Sequence, residues 1–144
     1  MLIGEHTHTL DEKNRVSLPA KFRKELGKKV IVTHGLDSCL FVFSEEKWKK
    51  FSEKLSELSL VQGDKRKFSR FMLGGATEAD VDGAGRILIP DFLKDFAGLK
   101  ERIVLAGIHS RVEIWSEKTW TSYKKSVERN INVLAEKLGE VGAL

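Results

Sequence analysis

Two arginines offer the most distinctive chemistry in this sequence. Each stands four residues after an aspartate and four before a proline. The first copy reads Asp11-Glu12-Lys13-Asn14-Arg15-Val16-Ser17-Leu18-Pro19, and the second Asp82-Gly83-Ala84-Gly85-Arg86-Ile87-Leu88-Ile89-Pro90. An aspartate that opens a turn accepts hydrogen bonds from the amides of its own loop. An arginine just beyond it presents a planar fork of donors that suits a carboxylate, a phosphate or a guanine edge. Asp-xxx-Arg is therefore either a structural clasp or a polyanion contact. Asn14 occupies the place of Gly85. Asn is one of the few residues besides glycine that visit positive φ, so one turn shape serves both copies.

Their surroundings separate the two arginines. Lys13 and Asn14 precede Arg15, and Lys21 and Arg23 follow it; residues 1–29 hold seven basic and four acidic side chains. The matching stretch 76–100 holds three basic and five acidic side chains. A polyanion should meet the first copy. Phosphates are met by Arg and Lys, and base edges in the major groove are read by Arg and Asn. The candidate DNA-contacting set is Arg15, Lys13, Asn14, Lys21 and Arg23, with Arg86 as the second copy's equivalent. Asp11 and Asp82 hold the turns. The plainer alternative for the basic residues is a solvated face. For Arg86, among acidic neighbours, the clasp is the favoured role, so Arg86→Ala should mainly cost stability and Arg15→Ala specific binding.

Other chemistry is poorly supplied. Cys39 opens an apolar run, where a cysteine behaves as a small hydrophobe. His6 and His8 share a strand face, but no Cys, Asp or Glu joins them at a zinc spacing. Asp80 and Asp82 are two apart, and Asp82 already has its turn to hold. The sequence has no phosphate-binding loop, dinucleotide fingerprint or nucleophile elbow. The expectation is no enzyme, no cofactor, no metal and no small-molecule substrate. The Lys65-Arg66-Lys67 and Arg70 cluster reads as the wet side of an amphipathic helix, with a second phosphate-binding surface as the alternative.

The elements that position the arginines follow from the repeat, whose copies lie 71 to 72 residues apart. After each proline comes a short amphipathic helix, Ala20–Leu26 or Asp91–Ala97, stopped at Gly27 or Gly98. Pro at the start and Gly past the end is the usual asymmetry of helix ends. β-like runs follow at Val30–Thr33 and Leu40–Ser44, and at Ile103–Ala106 and Val112–Ser116. Ser44 and Ser116 read as N-caps. Met1–Leu10 and Thr77–Val81 are the opening strands. Helices with Trp48, Phe51, Leu55 and Leu58, then Phe68, Phe71 and Met72, bridge the copies. One last helix, Glu117–Leu138, carries Trp120, Tyr123, Val127, Ile131, Leu134 and Leu138 at heptad-like spacing. It either packs over its own domain or contacts a neighbouring subunit.

The division is 1–60 for the first unit, 61–75 for a linking helix and 76–144 for the second unit. A unit of such size is marginal alone, so the copies should share a core with each other or with neighbouring chains. At 144 residues, 41% are hydrophobic and 32% charged, and the net charge is +4. A single cysteine fits a reducing compartment. With no signal peptide and no run of eighteen apolar residues, the expectation is a cytosolic protein without a membrane partner.

These residues resemble a known family. The turn, strand, proline and helix signature is similar to the AbrB/MazE-like superfamily of swapped-hairpin DNA-binding domains. The tandem copies, the segment Leu73-Gly74-Gly75-Ala76-Thr77-Glu78, the second nine-residue motif and Trp115-Ser116-Glu117-Lys118-Thr119-Trp120 resemble the MraZ family. The resemblance spans about Gly4 to Tyr123. It implies an α+β fold of two tandem swapped-hairpin β-barrel units in pseudo-two-fold arrangement with flanking helices. It implies a bacterial transcription regulator that binds direct repeats in double-stranded DNA upstream of the division and cell wall gene cluster. It also implies a ring-shaped homo-oligomer associated with the nucleoid, and Arg15 as a DNA contact. Asn14 departs from the glycine usual in that family. The competing reading is an antitoxin-like protein-interaction module that autoregulates its own gene; a patterned helix in place of a disordered acidic tail speaks against it.

Overall fold

The computed structural model describes residues 1–58 and 60–144. The first half runs β1 (Leu2–Thr9), β2 (Arg15–Ser17), α1 (Ala20–Leu26), β3 (Lys29–His34), β4 (Leu40–Ser44) and α2 (Glu45–Ser56). After α3 (Gly63–Gly74), the second half repeats the order. It runs β5 (Thr77–Asp80), β6 (Arg86–Leu88), α4 (Asp91–Phe96), β7 (Arg102–His109), β8 (Arg111–Ser116) and α5 (Glu117–Arg129), before a last helix, α6 (Ile131–Glu140). The fold is α+β.

The strand pairing explains why neither half can be taken alone. One antiparallel sheet has the order β1-β7-β8-β4-β3-β5, and a separate ribbon joins β2 to β6. Each half lends its first strand to the third strand of the other: Leu2–Thr9 pairs with Arg102–His109, and Thr77–Asp80 with Lys29–Val32. Exchanging the halves leaves the sheet order unchanged, a pseudo-two-fold within one chain. Leu2 to Leu26 of the first half and Ile87 to Ile114 of the second contribute to one buried cluster. The core is therefore shared within the chain.

Period-two alternation sorts the central strands between two cores. Val30, Val32, Leu40 and Val42 face the ribbon, α1 and α4. Phe41, Phe43 and Trp115 face the opposite way, toward Trp48, Phe51 and Leu55 of α2, Phe68 and Met72 of α3, and Trp120 of α5. Cys39 lies fully buried in this second cluster. Burial pushes its thiol up to about 12, so it stays neutral and unreactive. Both long helices start as their serines suggest: Ser44 Oγ accepts from the Lys47 amide at 3.2 Å and Ser116 Oγ from the Thr119 amide at 3.1 Å.

The expected single helix over Glu117–Leu138 is two helices. Asn130 sits at φ −115°, ψ 10°, outside helical space, and separates α5 from α6. The physical reason lies in what each segment packs against. Trp120 and Tyr123 pack at tilted angles against Trp115, and Glu5 accepts from Trp120 Nε1 at 2.9 Å and Lys124 Nζ at 2.7 Å. Beyond Val127 no such anchor continues: Ile131, Leu134 and Leu138 are all exposed. The heptad stripe is real as a pattern, but its second half has no partner within the described chain.

Candidate nucleic-acid interface

Both nine-residue motifs fold into the same turn. Asp11 Oδ1 accepts from the amides of Lys13 (2.9 Å) and Arg15 (2.8 Å), and Asp11 Oδ2 accepts from Arg15 Nε at 2.8 Å. Asp82 does the same with Ala84, Arg86 and Arg86 Nε, at 2.9, 2.9 and 3.0 Å. Both carboxyls are held below the ordinary carboxylate range, first by the arginine's backbone amide and then by its side chain and the second amide, while desolvation opposes. Asn14 adopts φ 60° and Gly85 φ 78°, so the shared left-handed turn expected from the sequence forms.

The clasp expected for Arg86 thus forms at Arg15 as well, and clasping does not separate the two residues. In each, Nε is committed to the aspartate. The terminal nitrogens make no hydrogen bond among the described residues. The clasp fixes the guanidinium and leaves its outer edge free, which lowers the entropy cost of a further contact.

The turns close the two ends of one ribbon. Arg15, Val16 and Ser17 pair with Leu88, Ile87 and Arg86. The amide of Ile89 donates to Asn14 O at 2.8 Å, and that of Leu18 to Gly85 O at 2.9 Å. Val16 and Ile87 are fully buried. Alternation therefore turns Arg15, Ser17, Arg86 and Leu88 outward together. Arg15 and Arg86 come from halves 71 residues apart and share one face, diagonal to each other at about 7–8 Å between Cα atoms, the usual spacing of such pairs. A ribbon of this width fits a DNA major groove.

The side chains around this face fall into two groups. Lys13 and Lys21 are exposed. Asn14 and Arg23 are drawn into contacts across the pseudo-two-fold. Asn14 Nδ2 donates to Asp91 Oδ1 at 2.9 Å, and Lys94 Nζ donates to Asn14 Oδ1 at 3.0 Å. Arg23 is half-buried, and a Cβ added to Gly85 would fall 2.1 Å from its guanidinium. Lys94 is Arg23's counterpart in the repeat, so each short helix braces the turn of the other half. Asp91, Lys94 and Leu88 escaped the reading of the sequence. Aligning the copies through the short helices matches Lys94 to Arg23, and that alignment was the available signal.

His6 packs edge-on to Phe22, and no group of three or more His, Cys, Asp or Glu side chains suited to a metal occurs among the described residues. Among those residues no helix is long and apolar enough to cross a membrane.

A model of the family described as "MraZ protein, putative antitoxin-like" matches twice, over residues 1–71 and 72–139. The chain belongs to the MraZ family. A curated MraZ relative from Caldanaerobacter subterraneus subsp. tengcongensis, named Transcriptional regulator MraZ, is 49% identical over 138 residues, 96% of either chain. One of the same name from Thermoanaerobacter sp. strain X514 is 45% identical over 98% of this chain and 99% of its own. A solved structure, PHS018 from Pyrococcus horikoshii, aligns over 79% of this chain and 88% of its own at 19% identity with a TM-score of 0.32, too distant to bear on the fold. The two MraZ matches meet between Phe71 and Met72, inside α3, so the duplication read from the two motifs is the family's own tandem repeat.

Proposed function

We propose that this MraZ-family chain is a sequence-specific DNA-binding transcriptional regulator that lays the β2–β6 ribbon in the major groove. The observation that carries the reading is the outward pair Arg15 and Arg86, each clasped at Nε and open at its terminal nitrogens. Transcriptional regulator is also the printed name of its full-length relatives. Arg15, whose turn and following short helix also carry exposed Lys13 and Lys21, supplies the dominant contact; Arg86, whose half has Ala84 and Phe92 at the corresponding positions, supplies the lesser one. Asn14 and Arg23 act chiefly by holding the turns. The strand exchange and shared core support an AbrB-like swapped-hairpin barrel.

The finer reading follows the family resemblance: binding to direct repeats upstream of the division and cell wall gene cluster, in the cytoplasm and on the nucleoid, by a ring-shaped homo-oligomer. The unpartnered apolar stripe of α6 supports self-association. A ring repeats the ribbon at a fixed spacing, so weak contacts add as avidity. The units are 1–60 and 76–144, joined through 61–75. No catalysis, cofactor or small-molecule substrate forms part of this function. The test is binding of wild type and Arg15→Ala to DNA from upstream of the protein's own gene, against a shuffled duplex. The antitoxin-like alternative predicts instead a stoichiometric small protein partner in a pull-down.

A further inference from the structure

The outward face of the ribbon is not symmetric, and the difference is chemical. Its four positions are Arg15, Ser17, Arg86 and Leu88. Arg15 stands directly opposite Leu88, and Arg86 directly opposite Ser17. Under the pseudo-two-fold Arg15 matches Arg86, but Ser17 matches Leu88. Leu88 is 56% exposed, whereas Ile87 and Ile89 beside it are buried. A lone exposed leucine is ordinary on a protein surface. This one stands opposite Arg15 and two residues along its own strand from Arg86, so it neighbours both clasped guanidinium groups on the outward face of the only two-stranded ribbon among the described residues.

We propose that Leu88 is a specificity-determining residue that meets the 5-methyl group of a thymine, and that the DNA element bound by one chain is asymmetric for that reason. The inference rests on the reading that this ribbon enters a major groove. In that groove thymine alone among the bases projects a methyl group, and an apolar side chain tells it from cytosine. The flanking arginines take guanine edges or phosphates and set the register. Ser17, small and polar, offers no such contact on the opposite side. One chain therefore carries one methyl-reading position, and the element lacks two-fold symmetry. More than half of Leu88 is exposed, and its substitution leaves the buried row of Val16 and Ile87 intact.

Replacing thymine by deoxyuridine removes the methyl group and keeps every hydrogen-bonding atom. Each thymine of the upstream duplex is replaced in turn, and binding is followed by fluorescence anisotropy for wild type, Leu88→Ser and Leu88→Met. Wild type should lose about fourfold in affinity at one thymine position, the worth of one buried methyl. Leu88→Ser should be indifferent to the base at that position, and Leu88→Met should keep the difference. If Leu88→Ser melts early, Leu88→Gln takes its place at this exposed position: it should likewise be indifferent to the base there, and a thymine preference that survives in it overturns the inference. Specific wild-type binding that is indifferent to every substitution overturns this inference alone. So does a thymine preference that survives in Leu88→Ser. No preference for the native over a shuffled duplex overturns the DNA reading as well.

Discussion

Lys94 Nζ donates to Asn14 Oδ1 across 3.0 Å, although the two residues lie in different halves of the duplication. On the other side of the pseudo-two-fold, Arg23 lies over Gly85 in the same relationship. Each turn is thus held from outside its own half. In one copy the turn residue is an asparagine that hydrogen-bonds its brace. In the other it is a glycine that makes room for a bulkier brace. The pairs Asn14 with Lys94 and Gly85 with Arg23 are alternative solutions to one packing problem.

Gly85→Ala tests the tighter solution. The new Cβ must occupy a left-handed backbone at φ 78° and would fall 2.1–2.7 Å from atoms of Arg23. The backbone part alone costs about 1–2 kcal/mol. Adding Arg23→Ala removes the contact but not the backbone strain. The double variant should be more stable than the sum of the single losses, by about 0.5–3 kcal/mol of coupling. Urea denaturation of the four proteins measures it, and strict additivity would contradict the bracing contact.

Acid should erase the clasps. The carboxyls of Asp11 and Asp82 are depressed below their ordinary value of 3.8 by the amides and side chains they bind. A group with a depressed folded value stabilises fully above its unfolded value. That contribution is lost as the pH falls through the folded one. Asp11→Asn and Asp82→Asn should therefore be less stable than wild type at pH 7. The gaps should close as the pH falls below 3.8. Gaps of unchanged size at the acid end would show that the carboxylate charge plays no part.

The exchange of first strands makes each half dependent on the other. Residues 1–75 alone leave β1 without β7, and residues 76–144 alone leave β5 without β3. Each fragment should be largely unfolded by circular dichroism at low concentration. Mixing the two should restore a cooperative melt. A fragment that melts cooperatively as a monomer would contradict the shared core.

The apolar stripe of α6 should matter between chains rather than within one. Leu134 and Leu138 are exposed, so Leu134→Ser with Leu138→Ser should change the stability of the isolated chain by less than about 0.5 kcal/mol. The same pair should lower the mass measured by light scattering. An unchanged mass would move the assembly surface elsewhere.

Much of this organisation was legible in the sequence. The spacing from Asp11 to Pro19 and from Asp82 to Pro90 gave the turns, the return strands and the short helices, because turn and cap chemistry act over a few residues. Ser44 and Ser116 gave the starts of α2 and α5 for the same reason. Three features were not legible. The break at Asn130 depends on where α5 loses contact with Trp115, a tertiary matter. The bracing of Asn14 by Lys94 spans eighty residues, beyond any local signal. The shared outward face of Arg15 and Arg86 depends on the register of β2 against β6, which neither strand specifies alone. The local surplus of positive charge marks Arg15, but it carries no sign that Arg86 shares the same outward face.

The central claim is that DNA is read through the first turn. It is tested by fluorescence anisotropy of wild type, Arg15→Ala and Arg86→Ala on upstream and shuffled duplexes at two salt concentrations. The account predicts tight, salt-sensitive binding of wild type to the native duplex alone. Arg15→Ala should weaken it by about one to two orders of magnitude, the worth of a base-edge contact. Arg86→Ala should weaken it less, with melts alike because the two clasps are alike. Equal, weak binding of both duplexes by all three proteins would contradict the account.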